Sequence, residues 1–309
     1  MDSALAERLL AGEKLACARL ISIVENESPG YTGQLKAVYQ YAGNAYVIGV
    51  TGPPGSGKST LTDKLAKILA DSGEKIGIIA IDPTSPFTKG AILGDRIRMD
   101  GVSNNKNVFI RSMGTRGHLG GLSKATANTL VILSAYGCTY IFVETAGVGQ
   151  SEIDIVGYAD TVLMVLAPGL GDDIQAIKAG VMEIGDVFAV NKADREGAEK
   201  TCRETMAMLD FKTDWDFKPP VCLTVAETGE GVDVLLEKLL SHKKYLTGSS
   251  KLAEKRARKK DAHVKDIIRD RLDRRVEELI KSYVGVDYEA KDPYSLSESM
   301  IDQIDFPKL

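Results

Sequence analysis

The sequence has few cysteines, and their spacing excludes the commonest cysteine-built sites. The four cysteines are dispersed, without the C-x-x-C spacing of a zinc knuckle or the density of a disulfide framework, at Cys17, Cys138, Cys202 and Cys222. The three histidines add no recognisable ligand set to them. We therefore expect reduced cysteines that pack as small apolar side chains.

Long apolar runs are also missing. No run approaches the roughly 18 to 20 residues of a membrane-spanning helix, and the N-terminal MDSALAERLLAGEK has the pattern of an amphipathic helix rather than a signal peptide. A net charge of -4 with 27% charged residues describes an ordinary surface. We expect a cytoplasmic protein with no nucleic acid or membrane as a partner. The 309 residues suffice for one α/β domain of about 200 residues with flanking helices.

The most informative stretch is YVIGVTGPPGSGKSTLTDKLAK, residues 46 to 67. An apolar run predicts a buried parallel strand, a glycine-rich turn follows, and leucines then recur at helical spacing. The turn satisfies G-x-x-x-x-G-K-[ST] in the strand-turn-helix setting that makes this motif credible. We predict that its nucleotide-contacting residues are Gly52, Pro53, Pro54, Gly55, Ser56, Gly57, Lys58, Ser59 and Thr60.

These residue types suit a phosphate chain. Glycines allow successive backbone N–H groups to turn inward, and the first helical turn adds unpaired N–H groups at the positive end of its dipole. Lys58 would reach the β- and γ-phosphates, and the Ser59 hydroxyl would ligate Mg²⁺.

Acidic residues follow the next predicted strands. Asp82 ends the strand in KIGIIAID, and Asp95 lies in a polar, glycine-interrupted segment beyond it. Such carboxylates can hold a metal, hold its waters or orient the attacking water. The alternative is that Asp82 caps a turn before Pro83 and Asp95 caps a helix. His118, in a further glycine-rich loop, receives no assigned role.

The segment TYIFVETAGVGQSE repeats the pattern of a strand followed by an acid. Glu144 ends the strand, where an acid can position Mg²⁺ through water, and the Gly147 N–H would meet the γ-phosphate. Gln150 is a candidate for orienting water in what would be a switch segment.

An N-K-x-D pattern identifies the base. Asn191, Lys192 and Asp194 follow a predicted strand. Aspartate accepts hydrogen bonds from guanine N1–H and the 2-amino group, which adenine cannot offer, so GTP is favoured over ATP. Lys192 would lie along the purine, Asn191 would brace the loop, and the backbone N–H of Ala226 could meet guanine O6.

Helices are predicted at both ends of the chain. We expect one helix over residues 2 to 26 and a second, short helix over residues 35 to 41, which together form a helical preface that packs on the nucleotide domain. From residue 249 a long charged helix is predicted, with one apolar stripe that needs a partner surface. The helix could extend as an arm that binds a second subunit, or it could fold back on its own domain. The stripe comprises Val264, Ile268, Leu272, Val276 and Leu279. The predicted divisions are 1–43 (helical extension), 44–245 (GTPase domain) and 246–309 (dimerisation arm).

Several blocks together resemble the methylmalonyl-CoA mutase-associated GTPases, the MeaB/ArgK family. They are GPPGSGKST, IDPTSPFTKGAILGD, RSMGTRGHLGGL, ETAGVGQSE, APGLGDDIQAIKAG, NKAD and AETGEGV. The match covers residues 46 to 232. It implies an α/β fold with a mainly parallel sheet, a P-loop NTPase of the dimeric metallocofactor and signal-recognition GTPase class. One departure is Val225-Ala226, where Ser-Ala is usual.

The resemblance also implies function. It indicates a homodimeric GTPase that gates adenosylcobalamin loading into a B12-dependent acyl-CoA mutase and protects that mutase, with GTP or GDP and Mg²⁺ as ligands. Asp82, Asp95 and Glu144 match the family's carboxylates around Mg²⁺, which with Lys58 make the predicted catalytic set. The family's extra switch matches Asp172, Asp173, Gln175 and Lys178, although these residues could equally cap and decorate a helix.

Two other functions use a similar loop. A P-loop kinase of a transport system would need an acceptor pocket and a lid, and no segment is clearly assigned to either. A nickel-insertion GTPase would need a Cys/His ligand set, which the dispersed residues do not provide.

Overall fold

The computed structural model describes residues 3–82, 101–102, 104–114, 124–147, 154–169, 183–283 and 292–301. The chain divides into two compact units, Met1–Lys259 and Lys260–Leu309. Among the described helices, none has the length and apolar character to cross a membrane.

Seven strands of the described chain form one sheet, in the order β3-β2-β4-β1-β5-β6-β7. Each neighbouring pair is parallel. The strands are β1 Tyr46–Thr51, β2 Ile76–Asp82, β3 Val108–Gly114, β4 Tyr140–Glu144, β5 Thr161–Leu166, β6 Val187–Val190 and β7 Val221–Leu223. The α/β class with a parallel sheet is therefore confirmed, and β1, which leads into the glycine-rich loop, lies at its centre.

Helices connect these strands and flank the sheet. They are α1 Ser3–Leu10, α2 Lys14–Glu25, α3 Tyr31–Tyr39, α4 Lys58–Asp71, α5 Lys124–Ala135, α6 Ala198–Asp210, α7 Val232–Gly248, α8 Lys251–Tyr283 and α9 Pro293–Ile301. A short 3₁₀ turn, Ile155–Gly157, precedes β5.

Both faces of the sheet are covered, as the uninterrupted apolar strands require. Alternate β1 residues divide between the faces: Ile48 and Val50 pack with Leu61 and Leu65 of α4, and Val47 belongs to the opposite core. That opposite core contains buried residues of α1, α2, α3 and α5. The helical preface thus packs on the nucleotide domain, as predicted.

The continuous helix expected over residues 2 to 26 is wrong. The chain breaks into α1 and α2, with Gly12 between them at a φ of 85°. Glycine adopts this left-handed conformation without steric cost, so the apolar period continues across a turn. Arg111 of β3 pairs with Glu25 of α2 and ties the preface to an edge strand of the sheet.

Candidate nucleotide-binding site

The glycine-rich loop connects β1 to α4 at the carboxyl end of the central strand. Two of its glycines are required by geometry. A Cβ on Gly52, at a φ of 137°, would lie 2.1 Å from the Val165 carbonyl oxygen, and one on Gly57, at a φ of 92°, would lie 2.2 Å from Asn191 Nδ2. Side chains are therefore excluded where the loop packs against β5 and against the residue that follows β6.

Lys58 turns its ammonium group back over this loop. Its Nζ donates hydrogen bonds to the carbonyl oxygens of Gly52, at 2.8 Å, and Pro53, at 3.0 Å. The side chain is buried. A positive charge is thus held directly beside the backbone that would surround a phosphate chain.

Ser59 and Glu144 meet across the cavity. Ser59 Oγ donates to Glu144 Oε1 over 2.5 Å, although the residues belong to α4 and β4. Glu144 is buried and pairs in register with Val50 of β1 and Ala80 of β2. A hydroxyl and a carboxylate side by side are oxygen donors of the kind that Mg²⁺ prefers, so this part of the site fits the expected metal.

Gly147 lies against the phosphate loop. It has a φ of 81°, and a Cβ there would lie 2.5 Å from Lys58 Nζ, 2.7 Å from Gly52 O and 3.1 Å from Pro54 N. The segment that follows β4 therefore reaches the loop with no space for a side chain. This is where the sequence predicted that a glycine would meet the terminal phosphate.

Asn191 connects the phosphate loop with the base-recognition segment. Its Nδ2 donates to Ser56 O at 2.8 Å, and its Oδ1 accepts from the backbone N–H of Ala226 at 2.9 Å and from Thr224 Oγ1 at 3.3 Å. The bracing role predicted for Asn191 therefore has a physical basis. The Ala226 N–H already has a protein acceptor, so a contact with guanine O6 would have to share it.

The other two residues of the N-K-x-D pattern lie in the same turn. Lys192 adopts a φ of 58° and donates from Nζ to Gly55 O over 2.6 Å. Asp194 is exposed, which leaves its carboxylate accessible to a ligand. The backbone N–H of Ala193 donates to Thr224 O and fixes the turn against the end of β7.

These elements enclose a cavity of about 320 Å³. It is lined by Pro54, Gly55, Gly57, Lys58, Ser59, Thr60, Ala80, Ile81, Glu144, Thr145, Ala146, Lys192 and Glu227. Sequence reasoning did not select Glu227, although its position directly after Ala226 could have indicated it. Thr224 and Thr145 were also missed, because neither hydroxyl belongs to a recognised motif; Thr145 Oγ1 donates to Thr51 Oγ1 over 3.0 Å.

Several predicted site residues lie outside the described part of the chain. Of Asp82 only the backbone is described, and it pairs in register with Gly114 at the end of β2. The remaining predictions fall entirely in residues that the structure does not describe, namely Asp95, His118, Gln150, Asp172, Asp173, Gln175 and Lys178.

The chain was compared with known protein families and with individual proteins. The family model described as "Methylmalonyl Co-A mutase-associated GTPase MeaB" matches residues 17–280. A Pyrococcus horikoshii protein, provisionally named a GTPase, is 52% identical over 97% of each chain. GTPase ArgK of Escherichia coli is 35% identical over 81% of this chain and 78% of its own.

A mammalian relative and a solved structure extend the comparison. The mouse protein named methylmalonic aciduria type A homolog, mitochondrial, is 33% identical over 68% of this chain and 52% of its own. A crystal structure described as an LAO/AO transport system kinase covers 98% of both chains with a TM-score of 0.73 and 24% identity. That structural likeness supports the fold.

Proposed function

The chain belongs to the family of methylmalonyl-CoA mutase-associated GTPases, MeaB, and we propose that it acts as a GTP-dependent chaperone of a B12-dependent acyl-CoA mutase. In this proposal, nucleotide state gates the loading of adenosylcobalamin and protects the mutase from inactivation. The GTP-binding part of this proposal is supported by the Asn191 bridge to Ser56 O, which joins the predicted phosphate and base subsites. Partner-induced changes at either subsite would therefore reach the other.

The phosphate chain would be held by the loop after β1. On binding, Lys58 would exchange its bonds to the Gly52 and Pro53 carbonyls for β- and γ-phosphate oxygens. The ammonium group would then neutralise the charge that develops on the transferred phosphoryl group. Backbone N–H groups of residues 55 to 59 would complete the cradle.

The metal would lie between the loop and the ends of β2 and β4. Ser59 would turn from Glu144 to the ion, and Glu144 would hold a metal-bound water. Asp82 and Asp95 are the further carboxylates proposed around it. When bound, Mg²⁺ supplies Lewis-acid stabilisation of phosphoryl oxygens. Asp82 or another switch residue would orient the attacking water.

Gly147 would sense the terminal phosphate. Its close approach to Lys58 Nζ and Gly52 O places this backbone beside the proposed γ-phosphate position. A hydrogen bond from its N–H would exist with GTP and be lost with GDP, which would release the segment containing Gln150. The segment with Asp172, Asp173, Gln175 and Lys178 is the proposed second relay to the mutase.

Guanine would be recognised by the turn after β6. Asp194 would accept from N1–H and the 2-amino group, and Lys192 would lie along the purine face. The backbone N–H of Ala226 would share its hydrogen between Asn191 Oδ1 and guanine O6. Adenine would leave the Asp194 carboxylate without its donors, which favours GTP over ATP.

The mutase as client is supported by the family description and by the chemistry of a two-state switch. The client is left open among methylmalonyl-, isobutyryl- and related acyl-CoA mutases. Affinity capture from source lysate, with GDP or a non-hydrolysable GTP analogue, tests the proposal. We expect nucleotide-dependent recovery of a B12-dependent mutase; equal recovery or none with both nucleotides would contradict it.

A homodimer is proposed from the apolar stripe of α8. Four of its predicted members, Val264, Ile268, Leu272 and Val276, recur every four residues and are between 45 and 52% exposed. Ile280, 37% exposed, continues this spacing in place of the predicted Leu279. A second copy would bury this stripe. Light scattering should give twice the chain mass of 33.3 kDa, and Ile268→Glu should give the single mass. A single mass for the natural chain would contradict the proposal.

A transport-associated kinase is the alternative function, and incubation with labelled GTP and candidate acceptors separates the two. Release of free phosphate alone is the result expected for a GTPase. Transfer of label to an acceptor would support the kinase instead.

A further inference from the structure

The first turns of α8 are attached to a buried carboxylate. Asp160 Oδ1 accepts from Lys259 Nζ at 2.5 Å, and Oδ2 lies 3.4 Å from Arg256 Nη2. The Asp160 side chain is 2% exposed and also accepts from the backbone N–H of Val47 at 2.9 Å. A carboxylate this deeply buried depends on these donors, since removing one partner of a buried ion pair is costly.

Further bonds attach the same turns to neighbouring backbone. Lys255 Nζ donates to Asp160 O at 2.8 Å, and Arg256 donates to Gly43 O at 2.5 Å and Ala45 O at 2.8 Å. Lys259 Nζ also donates to Tyr158 O at 3.1 Å. We refer to residues 251–259, which carry these donors, as the strap.

The acceptors occur where three strands begin. Gly43 and Ala45 precede β1, Tyr158 and Asp160 precede β5, and Asp186, 3.4 Å from Lys255 Nζ, precedes β6. The other ends of β1 and β6 carry the phosphate loop and the N-K-x-D turn. β1 and β6 contain six and four residues, so at about 3.3 Å per residue each spans roughly 20 Å or less. The strap therefore contacts the starts of the strands whose far ends carry the proposed nucleotide-binding residues.

Packing connects these segments closely. A Cβ on Gly49, in the middle of β1, would lie 2.4 Å from Ile155 Cγ1 and 2.9 Å from Ala159 Cβ. The chain from the 3₁₀ turn to Asp160 therefore contacts β1 with no room for even a methyl group. Close-packed contacts of this kind transmit displacement instead of absorbing it.

Charged side chains of the strap meet two carboxylates at these strand starts. Lys255, Arg256 and Lys259 face two carboxylates, those of Asp160 and Asp186. His242 lies nearby, with Nδ1 2.7 Å from Thr161 Oγ1 and Nε2 3.6 Å from Asp186, and burial lowers its pKa so that it adds no charge near neutrality. The Tyr46 hydroxyl also bonds Thr161 Oγ1, and burial raises its pKa, so it too is neutral there. Burial also lowers the pKa of Lys259 to about 8.

We propose that the strap is thermodynamically linked to the nucleotide site: nucleotide binding tightens the strap, and loosening the strap weakens nucleotide binding by the same factor. The inference rests on the proposed function, because it requires a bound guanine nucleotide. The reciprocity follows from linkage, and couplings of this type usually amount to about 5- to 150-fold.

Hydrogen exchange of the full chain measures the first direction. With Mg²⁺ and saturating GDP, we expect the amides of residues 251–259 to exchange about 10-fold more slowly than without nucleotide. Unchanged exchange in a protein that binds GDP would overturn the inference. If GDP does not bind at all, the proposed function itself has failed, and calorimetry on the same sample distinguishes the two cases.

Variants measure the reverse direction. Lys259→Met removes the ammonium group and keeps most of the side-chain volume, and Arg256→Gln provides a second, independent weakening should the first fail to fold. We expect GDP affinity to fall about 10-fold in each, matching the slowing of exchange in the natural chain. Lys200→Met, at an exposed pair with Glu204 on α6, is the matched control and should leave affinity within about 2-fold. A strap variant with faster exchange but unchanged GDP affinity would overturn the linkage.

Discussion

Ser59 Oγ donates a hydrogen bond of 2.5 Å to Glu144 Oε1, and this bond joins the start of α4 to the end of β4. The two residues are 85 positions apart in the sequence. Their meeting brings the phosphate loop and a strand-end acid to one point. The magnesium requirement that we propose depends on this pair.

Glu144→Gln keeps the size of the side chain and removes its charge. We expect the Mg²⁺ concentration for half-maximal GTP hydrolysis to rise about 10- to 100-fold, because a partner that orients metal-bound water is lost. A magnesium titration of phosphate release measures this. Glu204→Gln, on the exposed face of α6, should not shift the titration. An unshifted titration for Glu144→Gln would remove Glu144 from the metal site.

Asp194→Asn tests the assignment of the base. The amide cannot accept from N1–H and the 2-amino group as the carboxylate does, so GDP affinity should fall about 100-fold while ADP affinity changes little. Competition binding with both nucleotides measures the ratio. Asp210→Asn is the control, because Asp210 lies at the end of α6 in an exposed ion pair with Lys218. If the preference for guanine survives in Asp194→Asn, the base assignment is wrong.

Gly147→Ala tests the contact with the phosphate loop. The added methyl would lie 2.5 Å from Lys58 Nζ, so we expect hydrolysis to fall about 100-fold or more as the lysine is displaced. Gly73→Ala has the same kind of backbone strain, at a φ of 97°, with nothing within 4 Å of the new Cβ. It should lower stability by about 1 kcal/mol and leave the rate constant of hydrolysis unchanged. Equal rates in the two variants would contradict the proposed position of Gly147.

Alkaline pH should destabilise the fold through buried thiols. Burial raises the pKa of the Cys138 thiol to about 12 and raises that of Cys17 above its ordinary value. The folded state therefore retains protons that the unfolded state loses above about pH 9, and stability falls as the pH rises from about 9 to 12.

Cys138→Ala isolates this effect. Its free energy of unfolding should fall less steeply above pH 9 than that of the natural chain, by up to about 1.4 kcal/mol per pH unit. Denaturant unfolding at pH 8, 9 and 10 measures both slopes. The lowered pKa of Lys259 acts with the opposite sign but is common to both proteins and cancels in the difference. Parallel slopes would contradict the prediction.

The sequence predicted those parts of the site that local motifs determine. The phosphate loop, the acid at the end of β4 and the turn after β6 each combine an apolar strand with a short polar pattern, and parallel strands bring their carboxyl ends to one edge. Helix boundaries were less predictable, because the apolar period of residues 2 to 26 runs unchanged across the turn at Gly12.

Long-range polar contacts could not be predicted. The bond from Asn191 to Ser56 O spans 135 positions, and the ion pair of Lys259 with Asp160 spans 99. A run of lysines and arginines along a helix looks the same in the sequence whether the side chains face solvent or bond to the rest of the protein. The strap could therefore not be distinguished from a solvated helix face. The partner of the Ala226 N–H was missed for the same reason, since backbone donors carry no sequence signal.

Calorimetric titration of the purified chain with GTP, GDP and ATP in the presence of Mg²⁺ tests the central claim most directly. We predict one site per chain for GTP and GDP, at least about 100-fold weaker binding of ATP, and hydrolysis about 100- to 1,000-fold slower in Lys58→Ala. Absence of binding heat for both GTP and GDP, or equal affinity for GTP and ATP, would contradict the account.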